Sequence, residues 1–315
     1  MKEQVMLRDD YKNPESRWAE MTYTARDVIP QRSMVLHLAE YEIDRYIEED
    51  VPYGDLTTHL LNIAHVKGSI SYVCREDTVV CATEEAGRLL EKCGCRIVSI
   101  VPTGTHVKAG ETILEAEGYA QALNVGWKAG MNLLEYSSGI ATRTQKIVDA
   151  AKRINPRVEV VSTRKSFPGT KKLAIKAITA GGALPHRLGL SESVLVFKQH
   201  MNFMGGLDGF LKTVVSVRLR STENKVIVEA ESPEEAILIA RAGVDIIQVD
   251  KMPADVLKKV VQKVKAIDPT VLISIAGGVN EGNAGEYAET GIDIIVLSSV
   301  YFGKPADIRV DMNPL

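Results

Sequence analysis

The second half of the chain alternates short apolar runs with longer segments of helical periodicity. Helical patterns occur at 233–242, 254–267 and 283–290, each ending near glycine or proline. Repeated strand–helix units predict a parallel sheet, and the short connections favour a closed α/β barrel over an open sheet. The predicted strands are at residues 158–162, 194–197, 225–229, 245–249, 271–275 and 293–297.

The first half of the chain predicts a mixed α and β architecture. Apolar positions from Val35 to Ile47 indicate a helix that breaks at residues 51–55, before a helix start at Thr57-Thr58. A longer helical pattern at 125–151 indicates a helix that bridges two domains. Between these helices the pattern predicts strands at 69–73, 96–101 and 112–117 and a helix at 83–93.

Composition narrows the class of protein. The 315 residues, 45% of them hydrophobic, suffice for one large domain or two modest ones. A formal net charge of −3 gives no overall basic field, so we expect no nucleic-acid partner. Residues 1–10 are charged, and no apolar run approaches the roughly 18 residues of a membrane span. We therefore expect a cytoplasmic protein without a membrane partner.

Four cysteines, Cys74, Cys81, Cys93 and Cys95, lie within a short stretch of the first half. The spacing of Cys93 and Cys95 is not typical of a zinc site. We expect free and largely buried thiols, because cysteine is among the residues most often found in protein cores.

Charged residues follow the predicted strands, which is where barrel enzymes carry their sites. An arginine fork beside a lysine point charge suits a multiply anionic ligand, although a solvated surface is the alternative for such a pair. The strand-end residues are Arg164, Lys165, Lys198, His200, Glu229, Glu231, Asp250 and Lys251. Both signs of charge are therefore expected at one rim.

Small residues follow the last two predicted strands, as Gly277-Gly278 and as Ser298-Ser299. Backbone N–H groups can approach a phosphate closely at such positions, although a plain turn is the alternative. Carboxylates beside a phosphate would repel a bare anion, so Glu229 and Asp250 imply Mg²⁺ or ligand hydroxyls. Together these residues indicate a phosphorylated sugar as ligand.

Several short motifs occur together in this chain. In chain order they are Glu49-Asp50, Gly54-Asp55-Leu56-Thr57-Thr58, Ser138-Gly139-Ile140-Ala141-Thr142, Ser162-Thr163-Arg164-Lys165-Ser166, Pro168-Gly169, Gly181-Gly182, His186-Arg187-Leu188-Gly189-Leu190, Ile247-Gln248-Val249-Asp250 and Gly277-Gly278. Beyond residue 37 the chain resembles the quinolinate phosphoribosyltransferase family. The resemblance implies an N-terminal open-faced α/β sandwich and an incomplete C-terminal α/β barrel of seven strands, as in type II phosphoribosyltransferases.

The resemblance also implies how the chain is organised. It implies a homodimer, or a higher oligomer, whose active sites lie across the subunit interface. The domains that we predict are an N-terminal extension at 1–36, the sandwich at 37–144, the catalytic barrel at 145–302 and a C-terminal tail at 303–315.

Enzymes of this family transfer phosphoribosyl from magnesium-bound phosphoribosyl pyrophosphate (PRPP) to quinolinate, giving nicotinate mononucleotide, CO₂ and pyrophosphate. For this chain the resemblance implies Mg²⁺, with Lys165, Glu229 and Asp250 as catalytic residues. It implies acceptor binding by Lys128, Arg164, Lys165, His186, Arg187 and Lys198, ribose or Mg²⁺ binding by Glu229 and Asp250, and phosphate binding by Gly277, Gly278, Ser298 and Ser299.

Some positions depart from the family pattern. Lys128 stands where the family has an arginine from the partner subunit, so a bidentate clamp is lost. Phe197 stands at a substrate-facing lysine, whose charge is missing or displaced to Lys198. Ser274 and Ala276 replace a Glu and Ser pair. The carboxylate-binding half of the pocket has therefore changed more than the phosphate half.

These departures resemble the ModD branch of the family, pyrophosphorylases named for an association with molybdenum-transport genes. The predicted function is a pentosyltransferase that acts on PRPP and a pyridine carboxylate, such as quinolinate in NAD biosynthesis. Two alternatives stay open. One is a ModD-type enzyme with a different heteroaromatic acceptor that carries fewer carboxylates. The other is a non-catalytic protein that binds a sugar phosphate or an oxyanion in molybdenum metabolism.

Overall fold

The computed structural model describes residues 36–315, so the predicted extension at 1–36 lies outside the described residues except for its last position. The first part of the described chain holds a small sheet and the helices around it. Its elements are α1 (Glu40–Asp50), α2 (Leu56–Leu60), β1 (Lys67–Cys74), β2 (Thr78–Val79), α3 (Thr83–Cys93), β3 (Arg96–Ile100), β4 (His106–Val107), β5 (Thr112–Tyr119) and α4 (Ala120–Ile154).

The second part of the described chain alternates strands and helices, as the pattern predicts. Its elements are β6 (Glu159–Ser162), α5 (Lys171–Ala180), β7 (Leu184–Pro185), β8 (Val194–Val196), α6 (Lys198–Asn202), α7 (Gly206–Leu211), α8 (Val214–Arg220), β9 (Val226–Ala230), α9 (Pro233–Arg241), β10 (Ile246–Asp250), α10 (Ala254–Ile267), β11 (Leu272–Ala276), α11 (Ala284–Glu289), β12 (Ile294–Leu297) and β13 (Ile308–Pro314).

Seven strands form a parallel sheet in the order β7-β6-β12-β11-β10-β9-β8. The two shortest strands of this sheet, β7 and β8, lie at its two ends, and within residues 36–315 they do not pair with each other. The incomplete seven-stranded barrel is confirmed. The prediction of a closed barrel, made from the pattern alone, is wrong, because the sheet stays open between β7 and β8. Strands of two and three residues leave little backbone to pair.

The N-terminal sheet has the order β13-β1-β5-β3, and its neighbouring strands are antiparallel. Its outer strand β13 runs from Ile308, opposite Cys74, to Pro314, opposite Gly68. The segment predicted as a C-terminal tail therefore supplies an edge strand to the first domain. Buried Tyr72 and Leu114 of this sheet pack against the helices α3 and α4.

The motif at 138–142 docks α4 against its neighbours. Ser138 Oγ accepts a hydrogen bond from the N–H of Cys81 at 2.9 Å, and Thr142 Oγ1 accepts one from the N–H of Val79 at 2.9 Å. A Cβ at Gly139 would lie 2.9 Å from the backbone N of Ala306. The residues of this motif therefore allow close helix packing.

All four cysteines are free, and only Cys93 is partly accessible. Burial raises the pKa of Cys93 to about 11, so its thiol stays protonated at neutral pH. The expectation of free and largely buried thiols is confirmed. Within residues 36–315, no helix combines the length and apolar character needed to cross a bilayer.

A partly buried ion cluster joins α3 to α5. Lys176 Nζ lies 2.8 Å from Glu84 Oε2 and 2.6 Å from Glu85 Oε2, and the Glu85 side chain is 3% exposed. Burial alone would raise the pKa of Glu84, but hydrogen bonds from Lys176 and Thr103 outweigh it and lower that pKa to about 2. The cluster therefore couples the two domains through charge as well as apolar packing.

We predict that Lys176→Met lowers the free energy of unfolding by about 3 kcal/mol, because it leaves the buried Glu85 carboxylate without a cation. Because the folded-state pKa of Glu84 is depressed from 4.5, its contribution is present above pH 4.5 and lost as the pH falls towards 2. Urea unfolding across this range would measure both effects. Lys108→Met, which breaks the exposed pair with Asp77, is the control and should change little.

Candidate active site

The carboxyl ends of the seven parallel strands lie together at one end of the barrel, which we call the barrel mouth. Main-chain pairing in one direction forces all these ends to the same side. The mouth consists of residues 163–165, 186–187, 197–198, 229–231, 250–251, 277–278 and 298–299. Most of the candidate residues are therefore brought to one place by the topology.

Alternate residues of each strand face the barrel interior. Val228 and Val249 belong to the core that packs against the helices, so their neighbours face inward. Strand register aligns Gln248 with Glu229 on one side and with Ser274 on the other. We call these three residues, Glu229, Gln248 and Ser274, the polar row.

Glu229 and Asp250 lie on neighbouring strands at the mouth. Burial raises the pKa of Glu229, and the negative charge of Asp250 raises it further. A hydrogen bond from Gln248, whose Nε2 lies 3.2 Å from Glu229 Oε2, and the positive charge of Lys165 act in the opposite direction. The structure thus brings the three predicted catalytic residues into one electrostatic group.

Arg164, His186 and Arg187 form a second group at the mouth. Arg187 is 8% exposed, and its Nη1 donates to the carbonyl of Ser193 at 3.3 Å. Burial lowers the pKa of Arg187, and the nearby charge of Arg164 lowers it further. Burial and Arg187 also lower the pKa of His186, so that ring is neutral at pH 7. His186 Nε2 is buried without a hydrogen-bond partner among the described residues.

The predicted phosphate side lies across β11 and β12. Gly277 and Gly278 have φ of +84° and +79°, a conformation that favours glycine. Thr163 Oγ1 and Ser298 Oγ are 2.9 Å apart, which joins the loop after β6 to the loop after β12. Ser299 Oγ donates to the carbonyl of Val279 at 3.0 Å, so its hydroxyl is already engaged.

Two predicted acceptor-binding lysines do not join these groups. Lys198 is exposed and pairs with Glu231 beyond the ends of β8 and β9. Lys128 lies on α4, with its Nζ 4.0 Å from the centre of the Trp127 ring. Nothing in residues 36–315 of one chain hydrogen-bonds or ion-pairs Lys128 to the mouth.

Sequence reasoning did not select Gln248 as a site residue, although it forms the one side-chain hydrogen bond to Glu229 described in residues 36–315. Its signal in the sequence is a polar residue inside the apolar run from Ile246 to Val249. Tyr301 was also missed, and its hydroxyl donates to the carbonyl of Thr163 at 2.8 Å. Nothing in the local sequence marks Tyr301, since the contact crosses the fold.

The donor set at the mouth fits a magnesium ion that is carried by substrate phosphates. No three His, Cys, Asp or Glu side chains in the described part of the chain are placed to hold a metal. The two carboxylates of Glu229 and Asp250 match the habit of Mg²⁺, which binds through one or two carboxylates plus substrate phosphates.

The fold and this mouth define a two-domain α/β protein built to bind anionic ligands at an incomplete barrel. The quinolinate phosphoribosyl transferase C-terminal domain model matches residues 140–311, and the N-terminal domain model matches residues 55–138. The chain belongs to this family, and its enzyme class is that of the phosphoribosyltransferases. The family resemblance found in the sequence is confirmed.

Comparison with individual proteins supports the same family. "Putative pyrophosphorylase ModD" of Escherichia coli O157:H7 is 34% identical over 280 residues, 89% of this chain and 99% of that protein. Nicotinate-nucleotide pyrophosphorylase (carboxylating) of Mycobacterium leprae is 30% identical over 276 residues, 86% of this chain and 95% of that protein. The structure of nicotinate-nucleotide pyrophosphorylase from Francisella tularensis shares the fold, with a TM-score of 0.79 at 21% identity over 89% of this chain and 99% of that one.

We predict unequal effects of alanine at the two mouth glycines. A Cβ at Gly277 would lie 2.6 Å from Lys251 Cγ and 2.8 Å from Asp250 Oδ1, whereas a Cβ at Gly278 meets nothing within 4 Å. Gly278→Ala should lower the free energy of unfolding by about 1–2 kcal/mol, the strain of a left-handed residue. Gly277→Ala should lower it clearly more in the same urea titration. Equal losses would contradict the packing of Asp250 and Lys251 on Gly277.

Proposed function

We propose that this protein transfers the phosphoribosyl group of magnesium-bound PRPP to quinolinate, giving nicotinate mononucleotide, CO₂ and pyrophosphate. The observation that carries the proposal is the division of the barrel mouth into two groups of opposite character. Arg164 and Arg187, with the neutral His186 ring beside them, form a cationic side, and Glu229 with Asp250 forms an anionic side. A dicarboxylate acceptor suits the first side, and a sugar diphosphate with its metal suits the second.

On the acceptor side, the guanidinium groups of Arg164 and Arg187 would bind the two carboxylates. The neutral His186 ring would offer its unpartnered Nε2 to the same ligand. Binding in this way holds the ring nitrogen of quinolinate towards C1 of the ribose, and such orientation lowers the barrier to transfer.

On the donor side, Glu229 and Asp250 would accept hydrogen bonds from ribose hydroxyls and hold Mg²⁺ together with the phosphates. The metal, when bound, neutralises the charge of the leaving pyrophosphate. Gly277, Gly278, Ser298 and Ser299 would bind the 5′-phosphate through backbone N–H groups and the Ser298 hydroxyl.

As the nitrogen of the acceptor bonds to C1, the bond to pyrophosphate breaks and positive charge develops on the ribose. The Glu229 and Asp250 carboxylates stabilise that charge, and Lys165 lies near enough to Glu229 to balance them. A proton then replaces the carboxylate at C2, which leaves as CO₂.

One observation favours a second acceptor class, a heteroaromatic ring with fewer carboxylates. Phe197 directly follows β8 and lies two residues after Leu195, so by strand alternation it is on the inward-facing side like Leu195. Leu195 aligns with Ile227, which lies two residues before Glu229 on β9. An apolar ring, which stacks on the His200 ring with 5.9 Å between the ring centres, therefore takes the place of the family's lysine, and the charge of Lys198 is paired with Glu231. The loss of one free cation would weaken binding of a second carboxylate.

The proposal includes a homodimer in which Lys128 of one subunit completes the other subunit's site. Lys128 is half-buried on α4 and has no partner at the mouth of its own chain within residues 36–315. A lysine supplies a point charge rather than a fork, so it would bind an acceptor carboxylate without fixing its plane.

The cytoplasmic location stays a prediction.

We expect the purified protein, incubated with PRPP, Mg²⁺ and quinolinate, to form nicotinate mononucleotide and pyrophosphate in equal amounts by mass spectrometry. Arg187→Lys should raise KM for quinolinate about 10- to 100-fold, because one charged hydrogen bond contributes about 1.5–3 kcal/mol.

Arg241→Lys, an exposed change at the end of α9, is the matched control and should leave KM unchanged. Absence of product with PRPP still bound would contradict quinolinate as the acceptor and favour the second acceptor class. Absence of PRPP binding would contradict the transferase itself.

We expect a heterodimer of one Lys128→Ala subunit and one Glu229→Gln subunit to recover about half of the wild-type activity, because one of its two shared sites is then intact. Each homodimeric variant should be nearly inactive. Co-expression with two affinity tags isolates the heterodimer for assay. An inactive heterodimer would place Lys128 in its own subunit's site, and a fully active Lys128→Ala homodimer would place it in neither site.

A further inference from the structure

Gln248 occupies a position in the barrel where an apolar residue would be the simpler choice. It is 4% exposed and lies between Ile247 and Val249, both fully buried. Its Oε1 is buried without a hydrogen-bond partner among the described residues. A buried acceptor left unpaired opposes folding, so the amide is not explained by stability alone.

The nitrogen of the Gln248 amide has a single partner in the described part of the chain. Gln248 Nε2 donates to Glu229 Oε2 at 3.2 Å, and strand register places the two residues side by side on β10 and β9. Ser274, on the opposite flank of Gln248, has its Oγ 3.5 Å from the carbonyl of Ile247 and does not contact Glu229. Within the polar row, the hydrogen bond therefore joins Gln248 to Glu229 and does not include Ser274.

The remaining charges around Glu229 do not hold its carboxylate in place. Asp250 and Glu231 repel it, and Lys165 attracts it from an exposed loop without a hydrogen bond in the described residues. Asp250 is itself paired with Lys251, whose Nζ lies 3.5 Å away. Within residues 36–315, the one hydrogen bond to the Glu229 carboxylate comes from the buried Gln248 amide.

We infer that Gln248 is a positioning residue, which fixes the Glu229 carboxylate for the donor substrate while touching no reacting atom. The inference rests on the proposed function, because it takes Glu229 as a PRPP ligand. It places the effect of Gln248 on the donor side and not on the acceptor side of the mouth.

The test is Gln248→Met, which keeps the length of the side chain and removes the donor. We expect the Kd for PRPP, measured by calorimetry with Mg²⁺, to rise about tenfold, the loss of one hydrogen bond to a charged group. The thermal midpoint should stay within a few degrees of the wild type, and KM for the acceptor should not change. Ser274→Ala is the matched control in the same row and should leave the Kd for PRPP and the thermal midpoint unchanged.

Unchanged PRPP affinity in Gln248→Met would overturn the inference. Equal weakening of PRPP and acceptor binding in Gln248→Met would also overturn the inference, because it would show a general disturbance of the barrel. A lower thermal midpoint in Gln248→Met, together with weaker PRPP binding in Ser274→Ala, would do the same. In a Glu229→Gln background, Gln248→Met should weaken PRPP binding little further, because the charge on which it acts has gone.

A failure of the proposed function would look different, since the wild-type protein would then bind no PRPP. In that case, urea unfolding tests whether the side chains of Gln248 and Glu229 interact. Gln248→Met and Glu229→Met should have non-additive effects on the free energy of unfolding, and additive effects would show that the two side chains do not interact.

Discussion

The close packing of α4 is the constraint on which the rest of the structure depends. This 35-residue helix is shared by the two halves of the described chain. A Cβ at Gly181 would lie 2.4 Å from the carbonyl O of Ala141, so the end of α5 is set directly against the helix backbone. Arg143, also on α4, donates to the carbonyls of Val300 and Lys304 and holds the loop after β12. The phosphate side of the mouth is thus anchored to the helix that carries Lys128.

The barrel mouth gains its chemistry from the direction of strand pairing. Parallel strands deliver every carboxyl end to one side, so residues separated by more than 80 positions, such as Lys165 and Asp250, act on the same carboxylate. The balance of the site follows from burial. Desolvation works against the charge of Glu229 and of Arg187. The hydrogen bond from Gln248 and the charge of Lys165 favour the Glu229 carboxylate, and the charge of Glu192 favours the Arg187 cation.

Much of the fold and part of the candidate site were predictable. The helices at 83–93 and 254–267 coincide with α3 and α10, because each has a clear apolar stripe. The helix α5 was missed, since its buried run from Leu173 to Ile178 has no clean period. At the site, the place of Arg164, Lys165, Glu229 and Asp250 after apolar runs predicted that they share one rim, where the structure puts them. Gln248 was not selected, because a single polar residue within a buried strand reveals no partner.

The sequence by itself determined the alternation of elements, the family and the charged residues of the mouth, because periodicity and short motifs are local properties of the chain. Only the tertiary structure decided that residues 308–314 pair with β1, that Lys198 is engaged by Glu231, and that Gln248 holds Glu229. Each of these depends on strand register or on contact between distant segments. Such contacts are set by the packing of the whole fold, and no local pattern contains them.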